Sequence, residues 1–118
     1  DEDKEKRILT EFQRTMNICH KIFQQFAFRR YTRSGKKYRR GPINKALFEV
    51  WSVCFKELSD DCVKLIYNNR DVFLEKYADV LADNKYSLAL KAGDESSVKR
   101  RMDTTRTFLK EFLYANKT

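Results

Sequence analysis

The stretch that decides the fold is residues 42–58, PINKALFEVWSVCFKEL, in which apolar residues recur at helical spacing over most of the circumference. Pro42 is compatible with the first turn of a helix, because its missing N–H would have no intrahelical partner there. A helix that is apolar on nearly every side must be surrounded by other elements. We therefore predict that this helix begins at Pro42, lies at the centre of the fold and buries Trp51 in the core, beside Phe48 and Phe55 or their neighbours.

Apolar spacing predicts further helices on both sides of this one. Residues 3–28 form a long amphipathic helix with one apolar stripe, made of Ile8, Phe12, Met16, Cys19, Ile22, Phe23 and Phe26. Ser59, followed by two acids, marks the start of a third helix, because serine is a favoured N-cap and acids are favoured in the first turn. Three more helices are predicted over residues 71–81, over residues 85–92 with Gly93 as the C′ residue, and from a start within residues 94–97.

The composition favours a helical domain. The chain has 118 residues, of which 42% are hydrophobic, and it has only 3 Gly and 1 Pro, too few for the many tight turns of a β-sandwich. We expect an all-α fold: a compact bundle of about five to six helices, with any β structure confined to a short basic hairpin near residues 29–40. Residues 1–118 should be a single helical domain. Because the chain starts without Met inside a charged helical run, we expect it to be the C-terminal fragment of a longer protein.

The sequence has no feature of a membrane or secreted protein. No apolar run approaches the roughly 20 residues that span a bilayer, and residues 1–10, DEDKEKRILT, lack the apolar stretch of a signal peptide. Cys19, Cys54 and Cys62 lie in apolar helical patterns rather than in paired spacings, which is typical of reduced core thiols. We therefore expect a cytoplasmic protein without a membrane partner, and the sequence indicates no oligomeric state.

The net charge of +8 is concentrated in one segment. Residues 1–28 contain five acids and five bases, and residues 42–118 contain 13 bases and 12 acids. Residues 29–41, RRYTRSGKKYRRG, contain seven bases and no acid. Seven of the eight net charges therefore lie in a single short segment.

This basic segment is the candidate functional surface. Its closely spaced like charges repel, so a polyanion that neutralised them would gain affinity through counterion release. Ser34-Gly35 at its midpoint favours a hairpin with a turn over residues 33–36. Nucleic-acid contact is the leading interpretation; the alternatives are contact with another part of the protein or a partner protein, and a merely solvated loop. The candidate residues are Arg29, Arg30, Tyr31, Arg33, Lys36, Lys37, Tyr38, Arg39 and Arg40. If the two tyrosine rings stack on bases, they contribute to single-strand binding in particular.

A second group of bases opens the last helix, at Lys99, Arg100 and Arg101. Bases at the N-terminal end of a helix are disfavoured by its dipole. We therefore expect an acidic partner or a phosphate near these side chains, unless they simply extend into solvent.

No catalytic motif is present. The sequence lacks the glycine-rich phosphate loops, the GxSxG nucleophile elbow and the HExxH zinc motif. His20 is the only histidine, and it lies about 100° from Cys19 around the helix, so the two do not form a nucleophile and base pair. We expect this chain to be no enzyme, with no metal and no cofactor.

One segment resembles a known family. Arg40, followed by residues 43–49, INKALFE, and an apolar helix that ends at Leu58-Ser59, resembles the C-terminal helical region of the ParB/sulfiredoxin-like domain-of-unknown-function family. That family includes GmrSD-type modification-dependent restriction endonucleases and other phage-defence proteins. Residues 98–102, VKRRM, resemble its closing segment, with Met102 where an aromatic residue is usual.

The resemblance implies an accessory role. It marks Arg40, Asn44, Lys45 and Arg101 as residues that the family pattern repeats, so we expect Asn44, Lys45 and Arg101 to be nucleic-acid-binding residues as well. It also implies that nucleotide-handling residues lie upstream of Asp1, in a full-length protein of the nucleotide-dependent restriction nuclease type. From chemistry alone, the Asn44 amide can bond either the backbone or a base edge.

The leading hypothesis is a non-catalytic helical accessory domain of a phage-defence or restriction-type protein that contacts nucleic acid through the basic segment. The alternative is a structural interaction module that docks on its own N-terminal nucleotide-handling domain or forms an oligomer interface.

Overall fold

A computed structural model describes residues 1–117 of the chain. The described residues form six α-helices and one antiparallel hairpin: α1 Glu2–Phe23, a 3-10 turn Gln24–Phe26, β1 Arg29–Ser34, β2 Lys37–Ile43, α2 Lys45–Glu57, α3 Asp60–Asn68, α4 Arg70–Ala82, α5 Asn84–Ala89 and α6 Glu95–Ala115. The mostly helical, compact fold is confirmed. The fold is not purely all-α, because the basic segment forms a genuine two-stranded sheet.

The centre of the fold is an aromatic cluster around α2. Trp51 is 1% exposed, and its ring stacks on Phe55 with centroids 4.7 Å apart. The rings of Phe23 on α1 and Tyr77 on α4 lie 5.2 and 5.1 Å from it. The prediction that α2 is central and buries Trp51 is therefore confirmed. Phe48 lies apart from this cluster and packs on Phe28, with centroids 5.0 Å apart.

The prediction that α2 begins at Pro42 is wrong. Pro42 belongs to β2, and the N-cap of α2 is Asn44, whose Oδ1 accepts a hydrogen bond from the Leu47 N–H at 3.0 Å. The Asn44 N–H in turn donates to the Phe28 carbonyl at 2.8 Å. The hairpin pairing thus continues up to the helix cap, and a side-chain cap is a stronger start signal than a compatible proline.

Helix α1 is shorter and more exposed than predicted. It ends at Phe23, where positive φ angles at Gln24 (50°) and Phe28 (59°) turn the chain into the hairpin. Its C-terminal half is buried, but Ile8 and Phe12 of the predicted stripe are 56% and 50% exposed. The reason is that α1 extends beyond the α2–α3 corner.

Arg14 on α1 holds that corner. It donates to the carbonyls of Phe55 and Leu58 at 3.0 and 2.8 Å, and it pairs with Asp60 at 2.9 Å. The guanidinium thereby binds carbonyls at the C-terminal end of α2, of which that of Phe55 also accepts the Leu58 N–H at 3.2 Å.

The later helices begin at the expected caps. Ser59 caps α3 and Asp94 caps α6 through their side-chain oxygens. Helix α5 ends at Ala89 and not at residue 92, so Gly93 is not its C′ residue. Instead, the Arg101 guanidinium binds the carbonyls of Ala89 and Ala92 at 2.9 and 2.6 Å, which replaces a glycine cap.

The three cysteines are free thiols, as predicted, but Cys62 is half-buried rather than in the core. Cys19 and Cys54 are buried, and burial raises the pKa of each thiol to about 12. No helix within residues 1–117 combines the length and the apolar character needed to cross a membrane.

Replacing Trp51 tests the central cluster. We expect Trp51→Ala to lower the free energy of unfolding by about 3–5 kcal/mol, because it leaves a large cavity among the rings of Phe23, Phe55, Phe73 and Tyr77. Urea denaturation measures the change. Val53→Ala on the same helix, at a 39% exposed position, is the control and should change the free energy by less than about 1 kcal/mol. Equal effects of the two changes would contradict the central position of Trp51.

Candidate nucleic-acid interface

The basic segment folds into a hairpin with a two-residue turn. Ser34 pairs with Lys37 and Arg33 with Tyr38, so the turn is Gly35-Lys36 rather than a loop over residues 33–36. Gly35 has a φ of +61°, which glycine adopts at little cost. The strands extend to Ile43, three residues beyond the predicted hairpin.

A bulge in β2 bends the base of the hairpin. The register runs from Tyr31↔Arg40 to Arg29↔Ile43, so Gly41 and Pro42 together oppose one residue, Arg30. A Cβ at Gly41 would lie 2.5 Å from the Arg30 carbonyl oxygen. The close approach of the two strands therefore requires glycine at this position.

Tyr31 fixes the hairpin to the helical core. It is 2% exposed, and its hydroxyl donates to the Leu74 carbonyl at 2.7 Å. Its ring packs on Phe26 and Tyr38, with centroids 4.9 and 5.8 Å away. Burial also raises the pKa of the Tyr31 phenol above its usual range. The candidate role of Tyr31 in stacking on bases is therefore corrected to that of a packing residue, because its ring is enclosed by protein.

Tyr38 shares this inner face. It is half-buried, and its ring lies 5.6 Å from that of Phe26. Burial, followed by the charge of Glu75, raises the pKa of its phenol. The second predicted stacking ring is therefore mostly engaged in packing.

Three of the seven bases are held by the protein itself. Arg29 donates to the Gly41 carbonyl at 3.1 Å, and Arg30 donates to the Ser87 hydroxyl. Arg33 donates to the Gly35 carbonyl at 3.0 Å and lies 3.8 Å from Asp79 on α4. These side chains stabilise the hairpin and its position on α4 and α5.

The other four bases form the basic ridge, which we define as Lys36, Lys37, Arg39 and Arg40. All four are exposed, and within residues 1–117 none of them has a carboxylate within ion-pair distance. Strand alternation places Lys37 and Arg39 on the face opposite Tyr31 and Tyr38. Lys36 lies in the turn, and Arg40, the register partner of Tyr31, lies at an exposed position on the same face as Tyr31. The ridge is therefore a concentration of exposed positive charge on an anchored hairpin.

Two of the residues marked by the family resemblance, Asn44 and Lys45, lie next to each other but have different environments. Lys45 is exposed beside the base of the hairpin. Asn44 is the α2 cap, and its amide nitrogen also donates to the Leu90 carbonyl at 3.4 Å, so both ends of its amide bond backbone and not a base edge.

Arg101 is not part of any surface interface. It is 4% exposed, bound to the two carbonyls after α5, and 3.5 Å from Glu49. Its expected role in nucleic-acid contact is corrected to that of a buried structural group. Nearby, Lys99 pairs with Asp103 at 2.6 Å. Of the three bases that open α6, Lys99 and Arg101 therefore have the acidic partner that we expected.

A cleft separates the hairpin from the end of α4 and from α5. It has a volume of about 540 Å³. It is lined by Arg30, Tyr31, Thr32, Arg39, Arg40, Gly41, Pro42, Leu81, Ala82, Asn84 and Ser87. Sequence reasoning missed Asn84 and Ser87, because both lie far from the hairpin along the chain. Nothing in the sequence indicates that Ser87 faces Arg30, which is 57 positions away.

Comparison with known proteins gives no relative. No protein-family model, no curated protein and no solved structure matches this chain. Within residues 1–117, no three His, Cys, Asp or Glu side chains come together in a group that could hold a metal ion.

Replacing Gly41 tests the geometry of the bulge. We expect Gly41→Ala to lower the free energy of unfolding by about 1–3 kcal/mol, because its Cβ collides with the Arg30 carbonyl. Gly93→Ala is the matched control, since Gly93 has open space around it and no left-handed φ; it should leave stability unchanged or raise it by up to about 1 kcal/mol. Thermal denaturation of both variants measures the difference, and an unaffected Gly41→Ala protein would contradict the pairing.

Proposed function

We propose that this chain is a non-catalytic helical domain that binds nucleic acid through the basic ridge. The observation that carries the proposal is the ridge itself: Lys36, Lys37, Arg39 and Arg40 have no acidic partner within residues 1–117, and they lie on a hairpin that Tyr31 anchors to the core. An anchored hairpin loses little conformational freedom on binding. The charge is therefore pre-organised for a polyanion.

Double-stranded nucleic acid is the form that fits best. A two-stranded β-ribbon fits the major groove of B-DNA, and lysine and arginine side chains along it reach phosphates on either side. Single-strand binding by stacking is less favoured, because the Tyr31 ring is enclosed and the Tyr38 ring is packed on Phe26. Recognition through phosphates is independent of base sequence.

The wider setting that we propose is the one implied by the family resemblance: an accessory domain of a phage-defence or restriction-type protein. In that setting the ridge would hold the nucleic acid while chemistry takes place elsewhere. The support for this setting is the segment from Arg40 to Ser59.

Neutralising the ridge tests the binding proposal. We expect wild-type protein to bind a random duplex with a steep negative slope of log affinity against log salt concentration. Replacing Lys36, Lys37, Arg39 and Arg40 together by Gln should flatten that slope by at most about 3.6, because each phosphate that a base neutralises contributes about 0.9 to the slope. Fluorescence anisotropy over a series of salt concentrations measures both slopes.

The control removes the same charge elsewhere. Lys64, Lys76, Lys110 and Lys117 are exposed and lie outside the hairpin, so replacing these four by Gln should change the slope far less. Equal slopes for the two quadruple variants, or no binding by wild-type protein at low salt, would refute the proposal.

A second candidate function, self-association, is favoured by the exposed apolar end of α1. Ile8, Leu9 and Phe12 are all at least half exposed on one end of the helix. In a twofold-symmetric dimer each copy presents the same patch, so an antiparallel pairing of two α1 helices would bury these three side chains on both copies.

Replacing Phe12 tests this second candidate. Sedimentation velocity should show a shift from monomer to dimer as the wild-type concentration rises, and Phe12→Ser should remain monomeric. Val72→Ser, at another exposed apolar position on α4, should behave like wild type. A wild-type chain that stays monomeric at every concentration would exclude this interface.

A further inference from the structure

We infer that the cleft between the hairpin and α4–α5 binds a nucleotide that carries a terminal phosphate. This inference rests on the proposed function and adds a second, more specific contact to the basic ridge. The cleft volume of about 540 Å³ is within the range of small-molecule sites. A single nucleotide is the unit of nucleic acid that such a volume accommodates.

The charge of the lining selects an anion. Arg30, Arg39 and Arg40 bring three guanidinium groups to the cleft, and no acid is among its lining residues. Asp79 lies 3.8 Å from Arg33, and the Asp83 carboxylate accepts the Tyr86 N–H at 3.0 Å as the cap of α5. Arg39 and Arg40 have no acidic partner within residues 1–117, and Arg30 is bonded to the neutral Ser87 hydroxyl, so the guanidinium charge in the cleft is available to a ligand.

The amount of charge favours a phosphate end over a phosphate within a chain. A phosphomonoester carries about −1.5 to −2 charges at neutral pH, whereas each internal phosphodiester carries one. Three guanidinium groups around one cleft match the more highly charged monoester, and their planar forks suit its oxygens.

The remaining lining residues suit the rest of a nucleotide. Thr32, Asn84 and Ser87 offer neutral hydrogen-bonding groups for a sugar or base. Pro42, Leu81 and Ala82 supply apolar surface on which the face of a base can lie. Phosphate-binding, polar and apolar groups thus occur together in one cleft.

Paired oligonucleotides test the inference. A duplex with a short 5′ overhang is prepared in two forms, one with a 5′-phosphate and one with a 5′-hydroxyl, and the affinity of each for the protein is measured at one salt concentration. We expect the phosphorylated form to bind about tenfold more tightly, the factor expected of one charge-assisted hydrogen bond. Equal affinities for the two forms would overturn the inference and leave the proposed function intact.

Two variants locate the effect. Arg40→Gln should bring the ratio of the two affinities close to one, because Arg40 lines the cleft. Lys36→Gln removes the same charge from the turn, outside the lining, and should weaken both forms equally while keeping the ratio. Loss of the ratio in Lys36→Gln but not in Arg40→Gln would overturn the assignment to the cleft.

Competition with 5′-AMP and adenosine identifies the source of the phosphate. Displacement of the phosphorylated duplex by 5′-AMP but not by adenosine supports phosphate binding in the cleft. If 5′-AMP binds as tightly as the phosphorylated strand end, the natural ligand of the site is a free nucleotide. If neither duplex binds, the proposed function fails, but titration with 5′-AMP still tests whether the cleft binds a nucleotide. Binding of 5′-AMP that Arg40→Gln abolishes supports the inference. Absence of 5′-AMP binding overturns it.

Discussion

The burial of the Tyr31 ring connects the two parts of this protein. Tyr31 lies in β1, yet it packs 6.3 Å from Tyr77, a member of the aromatic cluster around Trp51, and its hydroxyl bonds the backbone of α4. A two-stranded hairpin is only marginally stable by itself in water. Because this one shares a side chain with the core, its stability depends on the core, and its basic ridge has a fixed position.

The distribution of charge follows from that anchoring. Seven bases in a short segment repel one another, and the structure offsets the repulsion for three of them with carbonyls, a hydroxyl and one carboxylate. The basic ridge has no such partner within residues 1–117. Any ligand that binds the folded hairpin and neutralises the ridge stabilises the native state by mass action.

A buried polar network joins the last three helices. The hydroxyls of Tyr77 and Tyr86 lie 2.7 Å apart, and that of Thr105 lies 2.8 Å from Tyr86, so α4, α5 and α6 are joined by hydrogen bonds. Thr105 in turn donates to the carbonyl of Arg101. Within residues 1–117 no buried side-chain nitrogen or oxygen lacks a partner, which is required of polar groups in a core.

The sequence by itself determined the features that depend only on residues close together along the chain. Apolar spacing gave the central helix with Trp51, Ser59 gave a cap, and Ser34-Gly35 gave a hairpin near its actual place, since each of these signals is complete within a few positions. Tertiary structure alone decided the positions and hydrogen bonds of Tyr31, Arg101 and Ser87, because these depend on partners 9 to 57 positions away along the chain. It also decided that Ile8 and Phe12 stay exposed, because a helix pattern specifies an apolar face and not the length over which another element covers it.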